Sequence, residues 1–133
     1  MRIVVDASVA GAWVLPDEGS RRADRLLGRI LSDDLQLCVP ALWIYEVTNL
    51  LWSAERRGRM TSDGTAEAQA LLGSLSRETF DHESALARER VTNLARKFGL
   101  SAYDAAYLEL ADRLQCDLAT LDDRLARAAK QLV

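Results

Sequence analysis

The chain has 133 residues, 49% of them hydrophobic and 28% charged, with a formal charge of -3. That balance excludes a disordered chain and a globally basic nucleic-acid binder, so any contact with a phosphate backbone must come from local patches. The length suits one domain spanning residues 1–133, with a core large enough to fold by itself.

Met1 leads into Ile3-Val4-Val5 without a basic leader, a long apolar segment or a cleavage site, so no secretory signal is expected and the protein is placed in the cytoplasm. Ile3 to Val5 reads as a buried parallel-type strand ending at Asp6. A helical stretch follows, and Gly19-Ser20 opens a second helix, Arg21 to Leu31. There Ala23, Leu26, Leu27, Ile30 and Leu31 form an apolar stripe opposite arginines. Gln36 to Val39 is the second strand. Pro40 suits the first turn of a helix running to about Arg57, where Gly58 ends it. Apolar stretches such as Ala41 to Tyr45 are far too short to span a bilayer.

Thr61, Ser62 and Asp63 are candidate caps for a helix reaching roughly Ser76, and Thr79 to Asp81 fits a short third strand. Ser84 to Phe98 reads as a helix closed by Gly99, Ala102 to Leu114 as another opened by Ser101. Cys116 to Leu121 is the fourth strand, and Asp122 begins a last helix reaching about Gln131. Short apolar strands alternating with helices predict a three-layer α/β/α sandwich around a short, mostly parallel sheet. Cys38 and Cys116 are too few and too separated for a zinc site, and both are expected to be reduced.

In such a sheet the strand C-termini and helix N-termini share one edge, where ligands bind. Asp6 and Asp122 end strands there, and Asp104 lies in the first turn of the helix after Ser101. Capping accounts for each of these three singly. Glu46 is different. The predicted helix puts it well inside, on a stripe with Leu42, Trp43, Asn49 and Leu50, where a carboxylate must be paired, protonated or metal-bound. The competing explanations are an ion pair with an arginine such as Arg57 and a side chain that simply reaches solvent.

If the four acids converge, each close like-charge pair costs roughly 4 kcal/mol at about 4 Å and an effective dielectric near 20, so the cluster needs a cation. Oxygen donors without thiolate or a second histidine select hard ions, Mg²⁺ or Mn²⁺. The lone histidine, His82, suits a helix entry or an exposed position. Arg21, Arg22, Arg25 and Arg29 on one helix, and Arg56, Arg57 and Arg59 at the hairpin, are basic patches best read as solvated faces.

Four stretches carry a family resemblance: Val4-Val5-Asp6-Ala7-Ser8, Tyr45-Glu46-Val47 with Asn49, Leu100 to Tyr107, and Ala119-Thr120-Leu121-Asp122. In this order they resemble the four acidic motifs of the PIN-domain family across essentially the whole chain. Ser101-Ala102-Tyr103-Asp104-Ala105 is similar to the VapC-type toxins of type II toxin-antitoxin pairs. The resemblance implies an endoribonuclease that binds Mg²⁺ or Mn²⁺, works as a homodimer and is silenced by a cognate antitoxin. Asp6, Glu46, Asp104 and Asp122 carry over as catalytic and metal-site acids, with Ser8, Asn49 and Thr120 as supporting polar groups. Asp123 stands open between a fifth acid and an ordinary first-turn residue. Relatives often have a further short strand beyond the position of Leu132-Val133, so the sheet edge is expected to be minimal.

The expected chemistry is in-line attack of an activated water on an RNA phosphodiester, leaving a 5′-phosphate and a 3′-hydroxyl. Two other readings compete. One is an aspartyl-phosphate receiver or phosphatase, for which Lys97 and Lys130 are poorly placed. The other is a non-catalytic binding module presenting Trp13, Trp43, Trp52 and an apolar helix around Ile44, Val47 and Leu51, which asks for burial on more than one side.

Overall fold

Four strands and seven helices alternate along residues 1–132, the part of the chain that the computed structural model describes. The strands β1 (Arg2–Val5), β2 (Gln36–Pro40), β3 (Arg77–Phe80) and β4 (Asp117–Ala119) form one sheet in the order β3-β2-β1-β4. Every pairing is parallel, with Val4 opposite both Cys38 and Leu118, and Cys38 opposite Glu78.

Parallel neighbours require crossover connections. Helices α1 (Ala7–Val14) and α2 (Arg21–Leu31) join β1 to β2, and α3 (Trp43–Arg56) and α4 (Ser62–Ser74) join β2 to β3. Helices α5 (Ala85–Phe98) and α6 (Ala102–Leu114) lead back across the sheet to β4, and α7 (Asp123–Leu132) follows. The first two crossovers run one way along the sheet and the third runs the other. Right-handed connections therefore put α1 to α4 on one face and α5 to α7 on the opposite face. The packing agrees: α1 touches α2 and α3, while α6 touches α5, α7 and strands β1, β2 and β4. This is the expected three-layer sandwich.

The core lies on both sides of β1 and β2, where Val4, Val5, Leu37 and Cys38 are fully buried. Helix α6 buries seven consecutive residues, Ala105 to Ala111, which fits a helix lying over the middle of the sheet. Side-chain caps begin the helices where serine and threonine predicted them: Ser20, Thr61, Ser84 and Ser101 each accept a backbone N–H three residues on. Gly99, at φ 64°, closes α5 in the left-handed conformation. Both cysteines are free, and burial pushes the Cys38 thiol up to about 11. Among the described residues no helix is long and apolar enough to cross a membrane.

Three boundaries differ from the sequence expectation. Pro40 is the last residue of β2 and not the first turn of a helix, and Ala41 N–H takes over the ladder by donating to Phe80 O at 2.8 Å. Helix α3 therefore starts at Trp43, which brings Glu46 into its first turn. Strand β3 lies earlier, at Arg77–Phe80, because an edge strand reading Arg-Glu-Thr-Phe offers no apolar run to mark it. Strand β4 spans Asp117–Ala119 instead of Cys116 to Leu121, since Thr120 turns out of the ladder to bond Asp6.

Candidate metal and catalytic site

Asp6 follows β1 and caps α1, and its surroundings fix it completely. Its Oδ1 accepts from Ser8 Oγ at 2.6 Å and from the N–H groups of Ser8 and Val9 at 3.1 and 3.3 Å. Its Oδ2 accepts from Thr120 Oγ1 at 2.5 Å. Ser8 Oγ in turn accepts from Leu121 N–H at 2.9 Å, and Thr120 Oγ1 from Asp122 N–H at 3.0 Å. Two hydroxyls thus join the end of β1 to the segment after β4. Burial raises the Asp6 carboxyl above its ordinary range, and its hydrogen bonds from Ser8, Thr120 and Val9 oppose that rise.

Glu46 sits in the first turn of α3, where the positive end of the helix dipole favours a carboxylate. Its partner is Tyr107 and not Arg57: the buried Tyr107 hydroxyl donates to Glu46 Oε1 at 2.6 Å. Arg57 caps the far end of the same helix, some three turns away. Glu46 is raised by burial, and the negative charges of Asp104 and Asp6 add to the rise against the Tyr107 bond.

Asp104 is the third residue of α6, and its N–H donates to the capping Ser101 Oγ at 3.1 Å. Burial raises its carboxyl too, reinforced by Asp122 and Asp6 and opposed by Arg124. Asp122 lies at the start of α7, where its Oδ1 accepts from Leu125 N–H at 2.9 Å. Asp6, Glu46, Asp104 and Asp122 therefore share one electrostatic field at the edge where strands end and helices begin. Asp123 is the exposed first residue of α7, and Asn49 is exposed one turn beyond Glu46.

The donor set fits a hard divalent ion. It consists of oxygens alone, and burial holds three of its carboxyls above their ordinary range, with neighbouring acids adding to the rise at Glu46 and Asp104, a cost that a cation removes. The acids stand as neighbours, not as a closed cage: among the described residues no three acidic, histidine or cysteine side chains are grouped tightly enough to hold an ion as they stand.

Sequence reasoning missed two groups. Tyr107 lies three residues after Asp104, and that helical spacing alone places both on one face of α6. Glu109 is a carboxylate in the otherwise apolar run from Ala105 to Ala111, and it is 1% exposed. It accepts from Arg113 at 2.8 Å and lies 2.9 Å from His82 Nε2. His82 is accordingly not at an exposed position. Its Nε2 faces both the Glu109 carboxylate and Ala106 O, two acceptors, so this nitrogen carries the proton and ties the segment after β3 to α6. At the hairpin, Arg59 is held by Asp17 and Glu18 and does not form a free basic patch.

Comparison with known proteins matches residues 3–131 to the family model described as the PIN domain. The chain is similar to a protein of Pyrobaculum aerophilum named Ribonuclease VapC3, 35% identical over 133 residues that cover 100% of this chain and 98% of that one. It is also similar to Ribonuclease VapC9 of Mycobacterium tuberculosis, 34% identical over 129 residues, 93% of this chain and 88% of the relative. Among solved structures it resembles PAE2754 from Pyrobaculum aerophilum, with a TM-score of 0.75 and 25% identity over 98% of this chain and 81% of that one.

Proposed function

The chain belongs to the PIN-domain family, and from that premise we propose that it is a divalent-metal-dependent endoribonuclease, the toxin of a type II toxin-antitoxin pair. One observation carries the catalytic half of the reading. Acids from four separate elements meet in a shared field, and burial holds three of them above the ordinary carboxylate range. Clusters of this kind mark working sites more often than structural ones. Ribonucleases that are similar over nearly the whole chain support RNA as the substrate.

Asp6, Glu46, Asp104 and Asp122 are the residues that would hold the metal, with Mg²⁺ or Mn²⁺ matching their hard oxygens. When bound, such an ion supplies Lewis acidity toward the phosphodiester and its attacking water. The rest is the work of the chain. Ser8 and Thr120 fix both oxygens of Asp6, so its orientation is set before substrate arrives. Tyr107 holds one oxygen of Glu46 and leaves the other free. Tyr45 and Tyr103 stand exposed beside Glu46 and Asp104, where they offer stacking faces to unpaired bases.

The exposed apolar residues of α3, Ile44, Tyr45 and Trp52, support a protein contact as well, with the antitoxin and a second copy of the chain as partners. The deciding experiment is cleavage of end-labelled structured RNAs in Mg²⁺, Mn²⁺ and EDTA. Cleavage is expected only with metal, with 5′-phosphate and 3′-hydroxyl ends, and Asp104→Asn should lower it at least about a hundredfold. Equal cleavage in EDTA would sink the proposal.

A further inference from the structure

We propose that Arg124 grips the RNA backbone beside the site acids, at the phosphate next to the one being cleaved. The inference rests on the nuclease reading and names one substrate contact of that same site. Four carboxylates at one edge of a chain with a formal charge of -3 repel a polyanion, so a strand that reaches them needs cations close by.

Arg124 is the second residue of α7, two positions after Asp122. A helix start is the wrong place for a positive charge, because the unpaired N–H groups there already form the positive end of the dipole. Asp122 and Asp123 answer that end, and Asp122 Oδ1 accepts from Leu125 N–H at 2.9 Å. Helix stability therefore does not call for an arginine at 124.

Its surroundings point to a ligand instead. Arg124 Nη1 donates to Gly99 O at 3.3 Å, a long and exposed bond. Gly99 lies two residues before Ser101, which caps α6, so the contact sets the guanidinium beside the helix start that carries Asp104. The positive charge of Arg124 opposes the rise of the Asp104 carboxyl, which puts the two within electrostatic reach. Yet Arg124 forms no salt bridge among the described residues. It stands near the acids without pairing with any of them.

A single exposed bond to a neutral carbonyl makes a weak tether and leaves most of the guanidinium's donors over. Their planar fork matches two oxygens of a phosphate. Held off the carboxylates by more than ion-pair distance, the group meets a phosphate beside the metal-bound one and not the reacting one itself. Arg127, one turn later on α7, is also exposed and in no salt bridge among the described residues, so a strand leaving the acids meets a second cation.

The test is steady-state cleavage of a fluorophore-labelled RNA in Mg²⁺ by the whole chain, by Arg124→Gln and by Arg124→Lys, at several salt concentrations. Arg124→Gln should raise KM at least about fivefold and keep kcat within about twofold, the pattern of a lost binding contact. Its plot of log kcat/KM against log salt should be shallower by about 0.7, the share of one phosphate on a single strand. Arg124→Lys keeps the charge and should keep the parent's salt slope, while recovering only part of the KM. A neutral methylphosphonate next to the cleaved bond should weaken cleavage by the parent and leave Arg124→Gln unaffected. A parent chain that cleaves no RNA overturns the nuclease reading and this one with it. A parent that cleaves, with Arg124→Gln matching its KM and salt slope, overturns the role of Arg124 alone. So does a loss of cleavage that follows a fall in melting temperature, which makes the arginine a tether, or a lower metal requirement with KM unchanged, which makes it a stand-in for the metal ion.

Discussion

Tyr107 and Thr120 each place one hydroxyl on a site acid, and each has a conservative replacement that removes only that oxygen or its reach. Tyr107→Phe deprives Glu46 Oε1 of its donor while keeping the ring in the core. The expected outcome is a tenfold to hundredfold rise in the Mn²⁺ concentration giving half-maximal cleavage, with KM for RNA nearly unchanged, on the scale of about 10–100-fold for groups that orient metal ligands. An unchanged metal requirement in a metal titration of cleavage would remove Tyr107 from the site. Thr120→Val strips Asp6 Oδ2 and Asp122 N–H of a shared partner. Urea unfolding should show a loss of about 1–3 kcal/mol, largely restored by Thr120→Ser. These details were only partly legible beforehand. The acids stand out in the sequence, but the hydroxyl that answers each acid comes from another element, and only the assembled chain pairs them.

At the level of elements, α6 is the beam of the site: it carries Asp104 and Tyr107 and buries its middle against the sheet. The triad of Glu109, Arg113 and His82 anchors that beam to the segment after β3. Arg113→Ala leaves the Glu109 carboxylate buried without its cation, and chemical denaturation should report a loss of about 3–5 kcal/mol, whereas Glu109→Met, which removes the buried charge itself, should cost clearly less. Equal losses would mean that packing and not charge holds the anchor. The helices were readable because serine and threonine caps, Gly99 and the apolar stripes all agree. Strand β3 was not, since an edge strand of mixed polarity has no period to detect. The misplaced start of α3 has a similar origin: proline suits either a helix's first turn or a strand's end, and only the pairing of Pro40 with Phe80 decides.

For the molecule as a whole, the site is a liability that a cation relieves. Asp6, Glu46 and Asp104 bind protons more tightly in the fold than in the unfolded chain, so the native state holds more protons from about pH 4 upward. Their contribution to stability is therefore complete at lower pH and is lost as pH rises through their elevated values. In EDTA, the melting temperature of Asp104→Asn should fall less with pH than that of the parent chain over this range. Mg²⁺ should raise the parent's melting temperature at neutral pH and the variant's much less. The topology was legible in the alternation of short apolar runs with helices, which brought distant acids to one edge on paper before any coordinates did.

The pairing of the last strand with the first sets a timetable for synthesis. Thr120 follows Asp6 by 114 residues, and β1 lacks its β4 neighbour until residues 117–119 have been made. A ribosome translating this message therefore carries an incomplete centre until Thr120 and Asp122 emerge, and any truncated product ending before residue 117 leaves Asp6 Oδ2 without its Thr120 donor.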